Sequence, residues 1–264
     1  MAHELSTHTE MLGPVLILLA ALASPAVADC TYSTLQEASA SYVTSQSTGQ
    51  IGTLPAAATY TENFKTANIN TGILSHPLKI DHNRSTYDTT GCATFTELII
   101  TDRQHPYVIG TQLHLTDNKI SKIDTIITDA GDWLFNATGT LYWAQQENWG
   151  TIPVEKRDSR ATIQKAADAY LDLFNDKSVV VPWGTPCARL EGGSYTGRGS
   201  ASDSCNVGVP SGVALVNRRY VIDETVGAVD VFLDFGGSGG IPDTHEFRIQ
   251  EGKIRYVHTM SVTG

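Results

Sequence analysis

At 264 residues the chain is long enough for one large domain or two small ones. It is 41% apolar and 17% charged, which suits a packed core and excludes a disordered, collagenous, coiled-coil or multi-span membrane chain. Its 28 Asp+Glu against 18 Lys+Arg give a net charge of −10, and a surface that acidic repels phosphate backbones and anionic membranes. Nucleic acid is therefore not an expected partner.

In chain order, the first readable segment is an address. Met11 to Ala28 reads MLGPVLILLAALASPAVA, with an apolar run from Val15 to Ala23 too short to span a bilayer. Ala26-Val27-Ala28 fits the small-x-small cleavage pattern of a secretory signal, although no Lys or Arg precedes the apolar run. Residues 1–28 are read as a signal peptide and the mature protein as extracellular. With the signal removed, no remaining segment is apolar enough to span a membrane.

A weakly amphipathic helix is expected over about Ser33 to Tyr42. Strands follow at Thr94–Thr101, Tyr107–Leu115 and Lys119–Thr128, broken at Asp102–Pro106 and Asp117-Asn118. Trp149 to Pro153 breaks any regular pattern and marks a linker within Asn148–Arg157. A stronger helix is expected over Ser159 to Phe174, with Ile163, Ala166, Ala167, Tyr170, Leu171 and Phe174 at helical spacing, Ser159 as N-cap and Asn175 as stop. The second set of strands is Tyr220–Asp223, Ala228–Phe235, His245–Ile249 and Lys253–Val262.

The halves repeat one another. LTDNKISKIDTIIT (Leu115–Thr128) lies on IQEGKIRYVHTMSV (Ile249–Val262), each a strand end, an acidic turn, a shared Lys-Ile and a long strand. TYTENFK (Thr59–Lys65) lies on ARLEGGS (Ala188–Ser194), pairing Glu62 with Glu191. The fold class expected is α+β: two tandem cone-shaped units, 29–150 and 151–264, each with helices on a curved antiparallel sheet and a pocket between them. One sheet packed on the other would make the chain mimic a dimer, so a monomer or a homodimer is expected in solution.

Four cysteines in a secreted chain favour two disulfides, for which three pairings exist. The duplication favours Cys30–Cys92, stapling the first unit's helix to its sheet, and Cys187–Cys205, flanking a Gly/Ser-rich loop in the second. Asn83-Arg84-Ser85 and Asn136-Ala137-Thr138 match the glycan acceptor pattern.

PCARLEGG, RRYVIDETVGAVDVF and DTHEFRIQEGKIRYVHT resemble a family of secreted fungal proteins of unknown function placed near the nuclear-transport-factor-2-like and SnoaL-like cone folds. YTEN, SHPLKIDHNRSTYDTTGCATFTELI and KIDTIITDAGDWLFNATGTLYWAQQENWG are similar to the same family, so the resemblance runs from about Tyr60 to Thr259. It implies a cone fold and secretion. It does not imply a reaction, because that superfamily holds dehydratases, isomerases, cyclases and non-catalytic binders.

Cone-fold enzymes place an acid or base in an apolar pocket, where burial tunes its pKa. In the second unit, strand alternation puts Ile254, Tyr256, His258 and Met260 on one face, so His258 faces either a pocket or a core carbonyl. His245 alternates with Phe247 and Ile249 and is read as inward or as a strand-entry residue near solvent. The two histidines on neighbouring strands form a candidate acid/base pair; no third ligand for a metal is apparent by spacing. Asp230 and Asp234 either line a polar cavity or, the favoured reading, face solvent. Arg189 and Glu191 share a strand face as a candidate buried pair.

In the first unit Asp124 takes the place of His258, and with Glu62 it makes a candidate carboxylate pair or two structural acids. Tyr60 and Asn63 would enter the same pocket, with Trp133 near its mouth, and Tyr60 or Tyr220 would orient the substrate. The expected activity is small-molecule binding without cofactor or metal; the alternative is a cofactor-independent lyase, isomerase or cyclase. GGSGG at Gly236–Gly240 leads to a strand and not a helix, so it fails the phosphate-loop test.

Overall fold

The computed structural model describes residue 1 and residues 30–52, 54–55 and 58–264. The signal-peptide segment, residues 1–28, lies outside the described residues apart from Met1.

The fold is mixed α+β and consists of two tandem sheet units. The first holds α1 (Tyr32–Thr48), β1 (Thr59–Glu62), β2 (Lys65–Thr66), β3 (His82–Asp88), β4 (Ala93–Ile100), β5 (Tyr107–Thr116) and β6 (Lys119–Thr128). After α2 (Ala137–Ala144) come α3 (Arg160–Leu173), β7 (Trp183–Glu191), β8 (Ser194–Tyr195), β9 (Leu215–Asp223), β10 (Ala228–Phe235), β11 (Ile241–Gln250) and β12 (Lys253–Ser261). The sheet orders are β2-β1-β6-β5-β4-β3 and β8-β7-β12-β11-β10-β9, the same topology twice. In each, a four-strand meander follows a short hairpin whose first strand pairs parallel with the last strand of the meander.

The repetition extends to single residues. β5–β6 turns at Asp117-Asn118 and β11–β12 at Glu251-Gly252, all four with positive φ, the two-residue turn that matches strand twist. A bulge interrupts β5–β6 after His114 and β11–β12 after Arg248. Asp124 pairs with Thr61 and His258 with Leu190; Glu62 pairs with Thr125 and Glu191 with Thr259. The sequence superposition of the halves therefore holds in the register of the sheets.

α3 starts as expected, with Ser159 accepting from the Thr162 amide. α1 runs to Thr48, beyond the expected Tyr42, because its buried face is polar: Ser39, Ser45 and Gln46. Gln46 Nε2 donates to the carbonyls of Ile73 and His76, which satisfies a group the hydrophobic pattern cannot register. β3 and α2 were not expected. Asn136, read as a glycan acceptor, also caps α2 by accepting from the Gly139 amide.

Each sheet has two covered faces. One carries the helix: α1 over Leu98, Ile109, Leu113 and Ile123, and α3 over Val229, Val231, Phe247 and Val257. The other faces the second sheet, where Phe95, Ile99, Val108 and Ile126 meet Leu190, Val221, Phe232 and Met260. A Cβ at Gly110 would sit 3.0 Å from the Phe95 ring and 3.3 Å from Met260, so a larger residue there would have to push these side chains aside.

The two units meet about a pseudo-two-fold axis. Asp88 Oδ2 accepts from the Ile222 amide at 2.9 Å, and Asp223 Oδ2 accepts from the Tyr87 amide at 2.9 Å, a reciprocal exchange of the isologous kind. Disulfides join Cys30 to Cys92 and Cys187 to Cys205. Among the described residues no helix is long and apolar enough to cross a membrane, which with two disulfides is compatible with an extracellular protein.

Candidate functional site

The second unit encloses a cavity of about 340 Å³ between α3 and the helix-facing side of its sheet. Alternation along β11 and β12 delivers its floor: His245, Thr259 and Ser261 point to this face, with Glu191 at the end of the adjacent β7. Phe174, Phe235 and Ile241 form apolar walls. Gly208 and Pro210 come from the long β8–β9 connection, which Cys187–Cys205 fastens to the sheet. Trp133 comes from the first unit, in the segment after β6.

The floor is an ordered polar set. His245 Nδ1 lies 2.6 Å from Asp243 Oδ1, a short electrostatic contact off the hydrogen-bond axis. Two lone pairs would repel at that distance, so Nδ1 carries a proton toward Asp243 and Nε2 is the nitrogen turned away from it. Ser261 donates to the other oxygen of Asp243. Glu191 Oε1 lies 3.2 Å from Arg189 Nε, and Arg189 also donates to Tyr170 Oη and the Val207 carbonyl.

The first unit has a cavity in the matching place, more open and about 660 Å³. Glu62, Ile100, Tyr107 and Ile127 stand where the second unit has Glu191, Phe235, Ile241 and Ser261. Glu62 is occupied, since its Oε1 accepts from Tyr60 Oη at 2.6 Å and from the Ile73 amide at 2.5 Å. Burial, reinforced by Glu62, drives the Tyr60 phenol well above its usual range.

Between the sheets lies a separate cluster of buried charges. His258 Nδ1 is 2.8 Å from Glu97 Oε1, and its Nε2 is 2.7 Å from Glu147 Oε2. Arg84 Nη2 reaches Glu97 at 2.9 Å and Glu246 at 2.8 Å, while its guanidinium lies 3.6 Å over the Trp149 ring. Burial opposes charge on His258, but Glu97 and Glu147 outweigh it and raise its pKa to about 10. Glu97 is buried too, yet His258 and Arg84 hold its carboxyl well below the usual range. Burial pushes Glu246 up to about 7 against the pull of Arg84. The void beside His258 is about 10 Å³, room for one water at most.

This arrangement corrects several sequence expectations. His245 pairs across the ladder with Thr259 and His258 with Glu246, so the two histidines lie on opposite faces of the sheet and form no acid/base pair. His258 sits in the inter-sheet layer and not in a helix–sheet pocket. Ile254, placed on its face by simple alternation, packs on the α3 side because the bulge intervenes. Glu62 and Asp124 are likewise separated: Asp124 shares the face of Ile126, accepts from Thr61 Oγ1 at 2.5 Å and is bridged by Lys122.

Asp230 is fully buried between the sheets and not solvated, accepting from Gln112 Nε2 at 2.7 Å and from Thr244. Desolvation drives its pKa well above the usual value. Asn63 braces its turn, bonding the Ile127 amide at 2.8 Å and carbonyl at 3.3 Å. Tyr220 donates to Asp168 on α3, outside the cavity, and Tyr256 packs near Trp149. Trp133 serves the second unit's cavity and not the first's. The structure does bring together His245, Arg189, Glu191 and Trp133. Asp243, Thr259 and Ser261 were missed, although the alternation that turned His245 inward also turns Asp243, two residues earlier.

Residues 156–261 match the family model of a domain of unknown function (DUF8021). The match spans α3 to β12 and so covers the unit that holds the smaller, more enclosed cavity. No curated protein matches the chain.

Proposed function

We propose that the protein is a secreted small-molecule binder whose second-unit cavity takes a mostly apolar ligand. In this reading residues 1–28 direct secretion, and 29–150 and 151–264 are two cones of the nuclear-transport-factor-2-like or SnoaL-like kind. The observation that carries it is one cavity of about 340 Å³ with aromatic walls and a few convergent polar groups on its floor, the usual form of a small-ligand site. Asn83 and Asn136 are both exposed, which supports their use as glycan acceptors.

The test is mass spectrometry on the full chain secreted from a fungal host and exposed to culture extract, under native and then denaturing conditions. A small molecule retained by the wild type, released unchanged, and lost in Ile241→Trp supports binding at this cavity. Equal retention by the variant sinks the assignment.

A second reading has its own observation. Asp243 orients the His245 imidazole through Nδ1, which leaves Nε2 as the nitrogen a general base would use. Conversion of an extract component to a product of equal mass, or lighter by one water, abolished by His245→Gln, would establish an isomerase or lyase instead. Neither reading calls on a metal or organic cofactor, and neither gives nucleic acid a role.

A further inference from the structure

The chemistry of the cavity floor restricts what can bind there, and the restriction rests on the small-molecule reading above. Besides the exposed Thr263, four polar side chains line it, and three of these have their hydrogen-bonding roles set by neighbours. Glu191 is a carboxylate and can only accept. Ser261 donates its O–H to Asp243, so its oxygen offers only lone pairs to a ligand. In the neutral imidazole with its proton on Nδ1 facing Asp243, Nε2 of His245 is an acceptor. The fourth, Thr259, is 6% exposed, and among the described residues its Oγ1 has no hydrogen-bond partner. An unpaired buried hydroxyl costs free energy until something pairs with it. The floor therefore presents three acceptors and one free hydroxyl beneath walls of Phe174, Phe235, Ile241 and Trp133.

We infer that the cavity selects an apolar, ring-sized compound carrying a neutral hydrogen-bond donor, an alcohol or phenol, and rejects carboxylates. A hydroxyl can donate to an acceptor on the floor and accept from Thr259 at once, which pairs the ligand's own group and the Thr259 hydroxyl. A carboxylate would meet Glu191 and Asp243 with only Arg189 to offset them, and Arg189 is already engaged by Glu191, Tyr170 and Val207. The first-unit cavity lacks this set, because Ile127 stands in place of Ser261 and Glu62 is taken by Tyr60 and Ile73.

Three matched probes test the inference by titration calorimetry on the intact chain near about pH 8, where an ordinary imidazole is neutral. They are 4-cyclohexylphenol, its methyl ether 4-cyclohexylanisole, and 4-cyclohexylbenzoate. The phenol is expected to bind at least about tenfold more tightly than the ether, since the ether leaves floor acceptors unpaired. The benzoate is expected to bind more weakly than either. Glu191→Gln should shrink the phenol-to-ether ratio, since the ether donates nothing to Glu191, and Thr259→Val should weaken both probes, since either oxygen can accept from Thr259; two variants guard against one failing to fold. Equal binding of phenol and ether, or preference for benzoate, overturns the donor rule while the small-molecule reading stands. Binding of none of the three overturns the donor rule and the cavity assignment together.

Discussion

Replacing His258 with alanine removes the group that sits 2.8 Å from Glu97 and 2.7 Å from Glu147. Both carboxylates are almost wholly buried, and Arg84 remains as the cation paired with Glu97 among the described residues, a charge it already shares with Glu246. Breaking one partner out of a buried ion cluster costs about 3–5 kcal/mol, because the remaining charge is left uncompensated. Linkage gives a figure of the same size. A histidine raised from 6.5 to about 10 contributes at most about 4–5 kcal/mol. The sign follows from the direction of the shift. A raised pKa means the folded state holds the proton more tightly, so the contribution is complete below pH 6.5 and is lost as pH climbs toward 10. Urea denaturation of wild type and His258→Ala at about pH 6 and about pH 9 measures this. The expected result is a deficit of several kcal/mol at the lower pH that narrows markedly at the higher. A deficit below about 1 kcal/mol at both, or one that does not change with pH, would refute the assignment of His258 as a charged inter-sheet tie.

Two further effects follow from the geometry. Asp88 accepts both guanidinium nitrogens of Arg160, at 2.6 and 2.7 Å, together with the amides of Ile222 and Gly91. Asp88→Ala should cost about 3 kcal/mol in chemical denaturation, and Asp223→Ala, its partner in the reciprocal exchange, should combine with it less than additively. Cys205→Ala opens a bridge of sequence separation 18, worth roughly 3 kcal/mol, and releases the connection that carries Gly208 and Pro210. Its ligand affinity, measured well below the melting temperature, should fall along with stability; unchanged affinity would show that the connection does not shape the cavity.

The sequence was most legible where one face of a strand is apolar and the other is not. β10 and β6 are found with their expected bounds, and the helix-side cores of both units follow from the 3.6 and 2.0 periods. The disulfide pairing was legible through the duplication. β3 was not legible, because His82–Asp88 turns Arg84, Thr86 and Asp88 toward the other sheet and shows no apolar alternation. The same polar layer misled the site assignments. A histidine or aspartate in mid-strand reads as chemistry when a solvated or ligand-bearing face is assumed. His258, Asp124 and Asp230 instead meet partners supplied by residues far away in sequence, such as Glu97, Thr61 and Gln112, which no local pattern encodes. The cavity of the second unit was half legible, through His245, Arg189 and Glu191. Its Trp133 wall crosses from the other unit.

Joining two copies in one chain lets equivalent positions diverge, and the inter-sheet layer has used that freedom. Glu97 is the fifth residue of β4, and the fifth residue of β10 is Phe232. His258 occupies the place of Asp124, and Glu246 the place of Gln112. A symmetric dimer must present each contact twice, so a Glu97–His258 pair would need both residues in every copy. In the single chain Glu97 comes from one unit and His258 from the other, and their contact is made once. The second half alone therefore carries a face that does not complement itself. Two copies of 151–264 placed about the same axis would set His258 against Phe232, with neither Glu97 nor Glu147 to balance its charge. Expressed alone, this half should expose Val221, Phe232 and Met260, bind a hydrophobic dye and aggregate, and co-expression with 29–150 should rescue it. A cooperative fold of the isolated half with wild-type stability, as monomer or as dimer, would show that the buried charges between the sheets are incidental to the assembly of the two units.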